Sequence, residues 1–306
     1  MRYCLLICIL MGANCLSQAE AQGNEDRLHA STYYANTQSV HPLGLFISRV
    51  NNNFQIKADR KMSLTTSFSS GNVWLPYVKS YNPVNEEDRI TMRNLLWHER
   101  ESRYNVTDSP SKTRELHADG VIREYQMNFS LPLSDRHEIK LNSRMFSLDY
   151  GKIPYSTLTG DQAIEWFHSN IYGGEDPFAR KVYGLNQANI SYTDENGKSF
   201  QLGKGDFVFS GIDLSYYYYP GFTFLERSNI YSNVGIQAGF NTSRINPSLD
   251  LGLNLSLLKI HQLKNKAKEF RFGLSTSALN QRLLQFDNPV ELSNKKYLFA
   301  LELLLS

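Results

Sequence analysis

From Ser248 to Leu257 apolar and polar residues alternate without a break, with Leu249, Leu251, Leu253, Leu255 and Leu257 set against Ser248, Asp250, Gly252, Asn254 and Ser256. A period of two puts all five leucines on one face of a β-strand. The segment before it repeats the pattern, with Ile230, Val234, Ile236, Ala238 and Phe240 opposed by Asn229, Asn233, Gln237 and Asn241. The same alternation runs through 61–71, 121–131, 207–219, 270–279 and 297–305. It is weaker through 43–50, 89–97, 139–148 and 182–192. With a short strand at 54–58, the pattern predicts an all-β protein: one antiparallel transmembrane β-barrel of about twelve strands, each near the length that crosses a bilayer when tilted.

Alternation alone does not say which face looks inward. The polar positions decide it, because they carry Gly, Ser, Asn, Gln and some Asp instead of the Lys and Glu of a water-exposed strand. Such residues suit a confined polar lumen and leave the apolar face to lipid. Trp74, Tyr216 to Tyr219, Tyr297 and Phe299 fall near strand ends, where aromatic girdles lie. Turns are expected at Asn51-Asn52-Asn53, Asp194-Glu195-Asn196-Gly197 and Asn246-Pro247, and long connections at 77–88, 102–120 and 151–180.

Composition narrows the setting. Arg2, the apolar run 5–11 and the small-x-small triplet Ala19-Glu20-Ala21 predict a signal peptide over residues 1–21, leaving residues 22–306 as the exported barrel domain. All three cysteines fall within that signal, so the exported chain has neither disulfide nor thiolate chemistry. Cys15 follows Asn14, which does not suit lipoprotein processing. A net charge of +2, with no basic block, argues against nucleic acid as a partner. The partner expected is outer-membrane lipid, in a Gram-negative bacterium; no small-molecule cargo can be named.

One segment breaks the strand pattern. Asp161 can cap a short helix whose Ile164, Phe167 and Ile171 share a face, and Gly173-Gly174 can end it. Asp161, Ile164, Glu165, Phe167 and His168, then Gly173-Gly174, Pro177 and Arg180, then Gly203-x-Gly205-Asp206, together with a His41-Pro42-Leu43 start, resemble the bacterial family catalogued as domain of unknown function 3187. The resemblance implies an outer-membrane β-barrel of unassigned activity.

Glu165 and His168, at i and i+3, make half of a Glu-x-x-His metal site, but the sequence offers no second half, so neither a metal nor a cofactor is expected. A hydrolase would need His168 as base, Asp161 as its orienter and Ser169 or Ser156 as nucleophile, and the spacing favours none of these roles. The expectation is a non-catalytic pore or binding scaffold. In it the helix plugs the lumen through Ile164, Phe167 and Ile171, with Arg180 beside it, and turns Glu165 and His168 toward Glu269, Arg271 and Glu302. Two alternatives stay open: a membrane-embedded lipid hydrolase with Asp161, Glu165 and His168 as its candidates, and a soluble exported β-protein holding an apolar ligand.

Overall fold

The computed structural model describes residues 41–96, 110–150, 161–171, 184, 187–262, 269–293 and 295–306. Residues 1–21, expected to be a signal peptide, with the cysteines, Ser156, Gly173-Gly174, Pro177 and Arg180 lie outside them, as do the side chains of Asp161 and Ile164.

Ten strands form one antiparallel sheet that curls into a half-barrel: β1 Ser63–Pro83, β2 Ser111–Ser134, β3 His137–Asp149, β4 Asn189–Thr193, β5 Ser199–Gly203, β6 Phe207–Tyr218, β7 Ile230–Asn241, β8 Ser248–Gln262, β9 Glu269–Gln285 and β10 Tyr297–Leu305. Neighbours run β10-β9-β8-β7-β6-β3-β2-β4-β5, and β1 lies along the other edge of β2. A closed barrel of about twelve strands is not formed by the described residues, since β1 and β10 have no pairing with each other. Three expected strands are something else. Residues 43–50 overlap a 3-10 turn, Pro42–Phe46, and 54–58 join no strand and bend at 56–57. Residues 89–97 fall largely in α1, Glu86–Asn94. There Glu86, Glu87 and Asp88 complement the positive end of the helix dipole, a local preference that overrides a weak alternation.

β2 is the spine. Its second half pairs with β3, from Val121↔Asp149 to Ser134↔His137, while its first half pairs with β4, from Glu115↔Thr193 to Asp119↔Asn189. The β4–β5 hairpin therefore extends the wall where β3 stops. At the handover Gly120 has φ +152, and a Cβ there would lie 2.8 Å from Leu148 Cδ1 and 3.3 Å from the Ala188 backbone. In β6 a bulge at Ser210 and Gly211, opposite Arg144 and Met145, shifts the alternation by one residue, so that Phe207 and Phe209 and then Leu214, Tyr216 and Tyr218 all stay on the outer face.

The sheet is inside-out by the standard of a protein in water. On β8 the outward Leu251, Leu253, Leu255 and Leu257 are exposed, whereas Ser248, Asp250, Asn254 and Ser256 are buried on the concave face. β7 follows suit, exposing Val234, Ile236 and Phe240 and burying Asn233, Gln237 and Asn241. The main apolar core lies at one end. There Leu43, Leu45 and Phe46 pack with Val73, Leu116, Ala118, Ile122, Phe146, Leu148, Ile190, Tyr192, Leu202, Val290 and Leu292. This is the end of the connections 84–110 and 150–188; the opposite end carries the tight turn between β2 and β3, and two smaller clusters, Ala58 with Tyr217 and Tyr219, and Leu258, Ile260 and Leu304 with Phe54 and Ile56, lie toward it.

Candidate functional site: a polar lumen and its strap

After the 3-10 turn, residues 47–59 run as an extended strap across the concave face, from the cored end to the tight-turn end. Because the strap has no strand partner, its peptide groups need other donors and acceptors. Lumen side chains supply them. Asn246 Nδ2 donates to Phe46 O (2.8 Å), Arg144 Nη1 to Ile47 O (3.0 Å), Gln237 Nε2 to Arg49 O (2.7 Å), Tyr217 Oη to Asn51 O (2.7 Å) and Asn233 Nδ2 to Asn53 O (2.7 Å). Ser48 N donates to Asp250 Oδ2 (3.2 Å) and Asn51 N to Gln237 Oε1 (3.1 Å). The strap thus reads the Asn, Gln and Tyr of the concave face much as an added strand would read a sheet edge.

Glycines set how closely it lies. Built Cβ atoms would come within 1.9 Å of Ser48 Oγ at Gly239, 2.6 Å of Val50 Cγ2 at Gly252 and 2.6 Å of Phe54 Cδ1 at Gly273. Strap residues 48, 50 and 54 therefore sit on a diagonal of side-chain-free positions on β7, β8 and β9. Asn53 and Gln55 turn toward β3 and the end of β6, where Asn53 Nδ2 donates to Tyr219 Oη (2.7 Å) and Lys140 Nζ donates to Gln55 Oε1, whereas Arg49 reaches across to β10.

Two charged clusters hold the strap at its ends. Arg144 Nε lies 2.9 Å from Asp213 Oδ2 with both side chains almost wholly buried, and its Nη2 donates to Ser48 Oγ (3.1 Å) and Asn241 Oδ1 (2.8 Å). Asp250, also buried, accepts from Ser48 N, Asn241 Nδ2 (2.7 Å) and Arg282 N (2.7 Å). Toward the tight-turn end Glu138 accepts from Ser130 Oγ and from Tyr219 Oη (2.6 Å), with Lys140 3.3 Å away. Desolvation and the like charge of Glu138 push the Asp59 carboxyl pKa up, against the opposing pull of Lys140 and of the Gln55 amide, whose Nε2 donates to Asp59 Oδ1.

The residues singled out in the sequence are placed differently from expectation. Helix α2, Asp161–Asn170, forms. However, Phe167 and Ile171 are 45% and 60% exposed, while Glu165 is buried with neither carboxylate oxygen hydrogen-bonded. Glu302 meets the strap's Arg49 at 2.8 Å instead of His168, and Arg271 pairs with Glu269 on its own strand. Among the described residues no group of three His, Cys, Asp or Glu side chains gathers as a metal site. Gly203-x-Gly205-Asp206 is a turn, with Gly205 at φ +82 and Gly203 N donating to Asp206 Oδ2 at 2.7 Å.

The strap itself was missed, and Asn51-Asn52-Asn53 was read as a turn. Its signal was the polar lumen: a face of Asn, Gln, Ser and Tyr without counter-charges needs hydrogen-bond partners, and a stretch of this chain meets that need. Comparison of the chain with family models, with curated proteins and with solved structures finds no match.

Proposed function

We propose that the chain is a non-catalytic outer-membrane β-barrel protein, exported to the outer membrane of a Gram-negative bacterium, whose lumen is occluded by its own strap. One observation carries this reading: four consecutive outward positions of β8, Leu251 to Leu257, are exposed, and the polar positions between them are buried. A sheet facing water would lose roughly 1.5 to 3 kcal/mol for each such leucine left unburied, whereas a sheet facing lipid loses nothing. The reading includes closure of the curled sheet into a barrel through the edges of β1 and β10, since no unpaired backbone edge is tolerated in the hydrocarbon region. Lipid covers the convex face, and the strap fills the concave one.

Two features favour an occluded pore over a permanently sealed scaffold. Through its middle the strap is bound by hydrogen bonds to polar side chains, with apolar packing of Phe54 and Ile56 on Leu258, Ile260 and Leu304 near its far end, and small lumen residues beneath it leave an aqueous path where it is displaced. The test is fractionation: the protein is expected to sediment with outer membranes and to require detergent for extraction. Recovery in the soluble periplasmic fraction would overturn the reading.

A further inference from the structure

Strand register sorts the charged side chains of the sheet by face. Between the main apolar core and the tight-turn end, the described concave positions of β1 to β3 and β6 to β10 carry six carboxylates against three cations, a formal charge of −3. Each of the three cations is held by a carboxylate of the same wall: Arg144 by Asp213 at 2.9 Å, Lys140 by Glu138 at 3.3 Å and Arg271 by Glu269. Glu124, Asp250 and Glu302 make up the acidic excess. Arg282, in the bulge of β9, spends its guanidinium on Ser293 O at the cored end.

The strap answers that excess. Arg49 Nη2 lies 2.8 Å from Glu302 Oε1, with the two side chains 46% and 33% exposed, and Ser48 N donates to Asp250 Oδ2 at 3.2 Å. The occupant already seated in the lumen thus brings a cation to one of the three carboxylates and an N–H to another. The strap's other lumen bonds run to β3 and β6 to β9. Across from it β1 contributes only Thr65, Ser67, Ser69 and Gly71, the register partners of Asn128, Gln126, Glu124 and Ile122. Ser69 Oγ donates to Glu124 Oε2 at 3.2 Å. When β1 closes on β10, this small, uncharged strip has Glu124 on one side and Glu302 on the other.

We propose that the lumen opened by displacement of the strap conducts cations and excludes anions, with Arg49 the tethered counter-ion that a permeating cation replaces at Glu302. The inference rests on the reading of the protein as an occluded pore and names the solute class of that pore. Carboxylates lining a confined path favour cations as acidic rings do in channels, and the low-dielectric wall around them focuses their field. A partly exposed ion pair is held weakly, so Arg49 leaves Glu302 when the strap lifts.

The test is the reversal potential in planar bilayers under a tenfold KCl gradient, with the exported chain carrying a Gly/Ser linker in place of residues 47–59. Concentrations around 0.1 M keep the Debye length near about 10 Å, so that wall charges are felt along the path. K⁺ is expected to permeate about fivefold or more better than Cl⁻, and Glu124→Gln and Glu302→Gln are each expected to lower that ratio about twofold, the double variant lowering it further. Both substitutions keep the side-chain shape and an acceptor oxygen, and circular dichroism checks that each variant folds. Equal K⁺ and Cl⁻ permeability, an anion preference, or a ratio unchanged in the double variant would each overturn the proposal while leaving the pore itself standing. A strap replacement that conducts nothing would overturn the occluded-pore reading and the selectivity with it.

Discussion

Ser48 rests directly on Gly239: a Cβ added to that glycine would stand 1.9 Å from the serine Oγ and 2.5 Å from its Cβ. Ser48 is buried, its N–H bonds Asp250, and its hydroxyl lies between Arg144 and Asn241, so it has no room to retreat. Gly239→Ala is therefore expected to lift the strap at this point, at a cost of about 1 to 3 kcal/mol for an overpacked site. Gly252→Ala, facing Val50, should act likewise, whereas Gly71→Ala, with nothing within 4 Å of its Cβ position, should not. Limited proteolysis between Arg49 and Lys57 reads the difference, and equal cleavage rates in Gly239→Ala and Gly71→Ala would show that the strap does not lie on the glycine diagonal.

The convex face offers a substitution with opposite outcomes in the two settings. Leu253 is 53% exposed at the middle of β8. In lipid near the midplane Leu253→Arg should cost about 2 to 4 kcal/mol, while Leu253→Trp should be tolerated. In water an exposed leucine replaced by arginine would be neutral within about 0.5 kcal/mol. Urea unfolding from lipid vesicles measures it. A neutral Leu253→Arg contradicts the lipid-facing assignment. Its neighbour Asn254 is buried, donating to Ser256 Oγ (3.1 Å) and Ser275 Oγ (3.4 Å).

Removing Arg144 should be among the most damaging single changes in the lumen. It would leave Asp213 buried without its cation and also release Ile47 O and Ser48 Oγ, so Arg144→Met is expected to cost about 3 to 5 kcal/mol. Adding Asp213→Asn should recover part of that loss, since the unpaired charge goes with it. Unfolding midpoints of the two single variants and the double variant test the coupling; strict additivity would mean that the two residues act independently.

At the cored end Asp194 sets a pH dependence. Burial acts to raise its carboxyl pKa, but the backbone N–H groups of Glu291 (2.9 Å), Lys198 (2.9 Å) and Asn196 (2.8 Å), with the Lys198 charge, outweigh it and hold the pKa below the ordinary aspartate value. Because the folded pKa is depressed, the stabilisation is present above the unfolded pKa and is lost as pH falls through the folded one. Acidification should therefore loosen the tie between the β4–β5 turn and residues 287–292 in the native protein, and Asp194→Asn should flatten that dependence. Amide exchange at Glu291 followed against pH checks it.

What the sequence disclosed follows from which forces are local. The strict alternation of β8 revealed both of its faces, and β10 was read at its true bounds, Tyr297–Leu305, because period two is set within each strand. The sheet's polar interior was legible for the same reason, as were Arg271 and Glu302 as lumen positions. The strap was not, since residues 47–59 carry at most a weak, broken alternation and take their hydrogen bonds from side chains more than 80 residues away, such as Gln237, Asn233 and Arg144. Three consecutive asparagines have turn composition, and only the tertiary partners make them extended. β5 escaped notice because five residues carry too little pattern, and β1 runs on to Pro83 through a bulge between Leu75 and Val78 that breaks its alternation.

The central claim, that the strap and not α2 occludes the lumen, is tested most directly by single-channel conductance in planar bilayers. Three proteins are compared: the native chain, one with residues 47–59 replaced by a Gly/Ser linker, and one with residues 161–171 replaced in the same way. The account predicts a closed or poorly conducting native protein, a clear rise in conductance for the strap replacement, and little change for the helix replacement. A native conductance left unchanged by replacing the strap would contradict it.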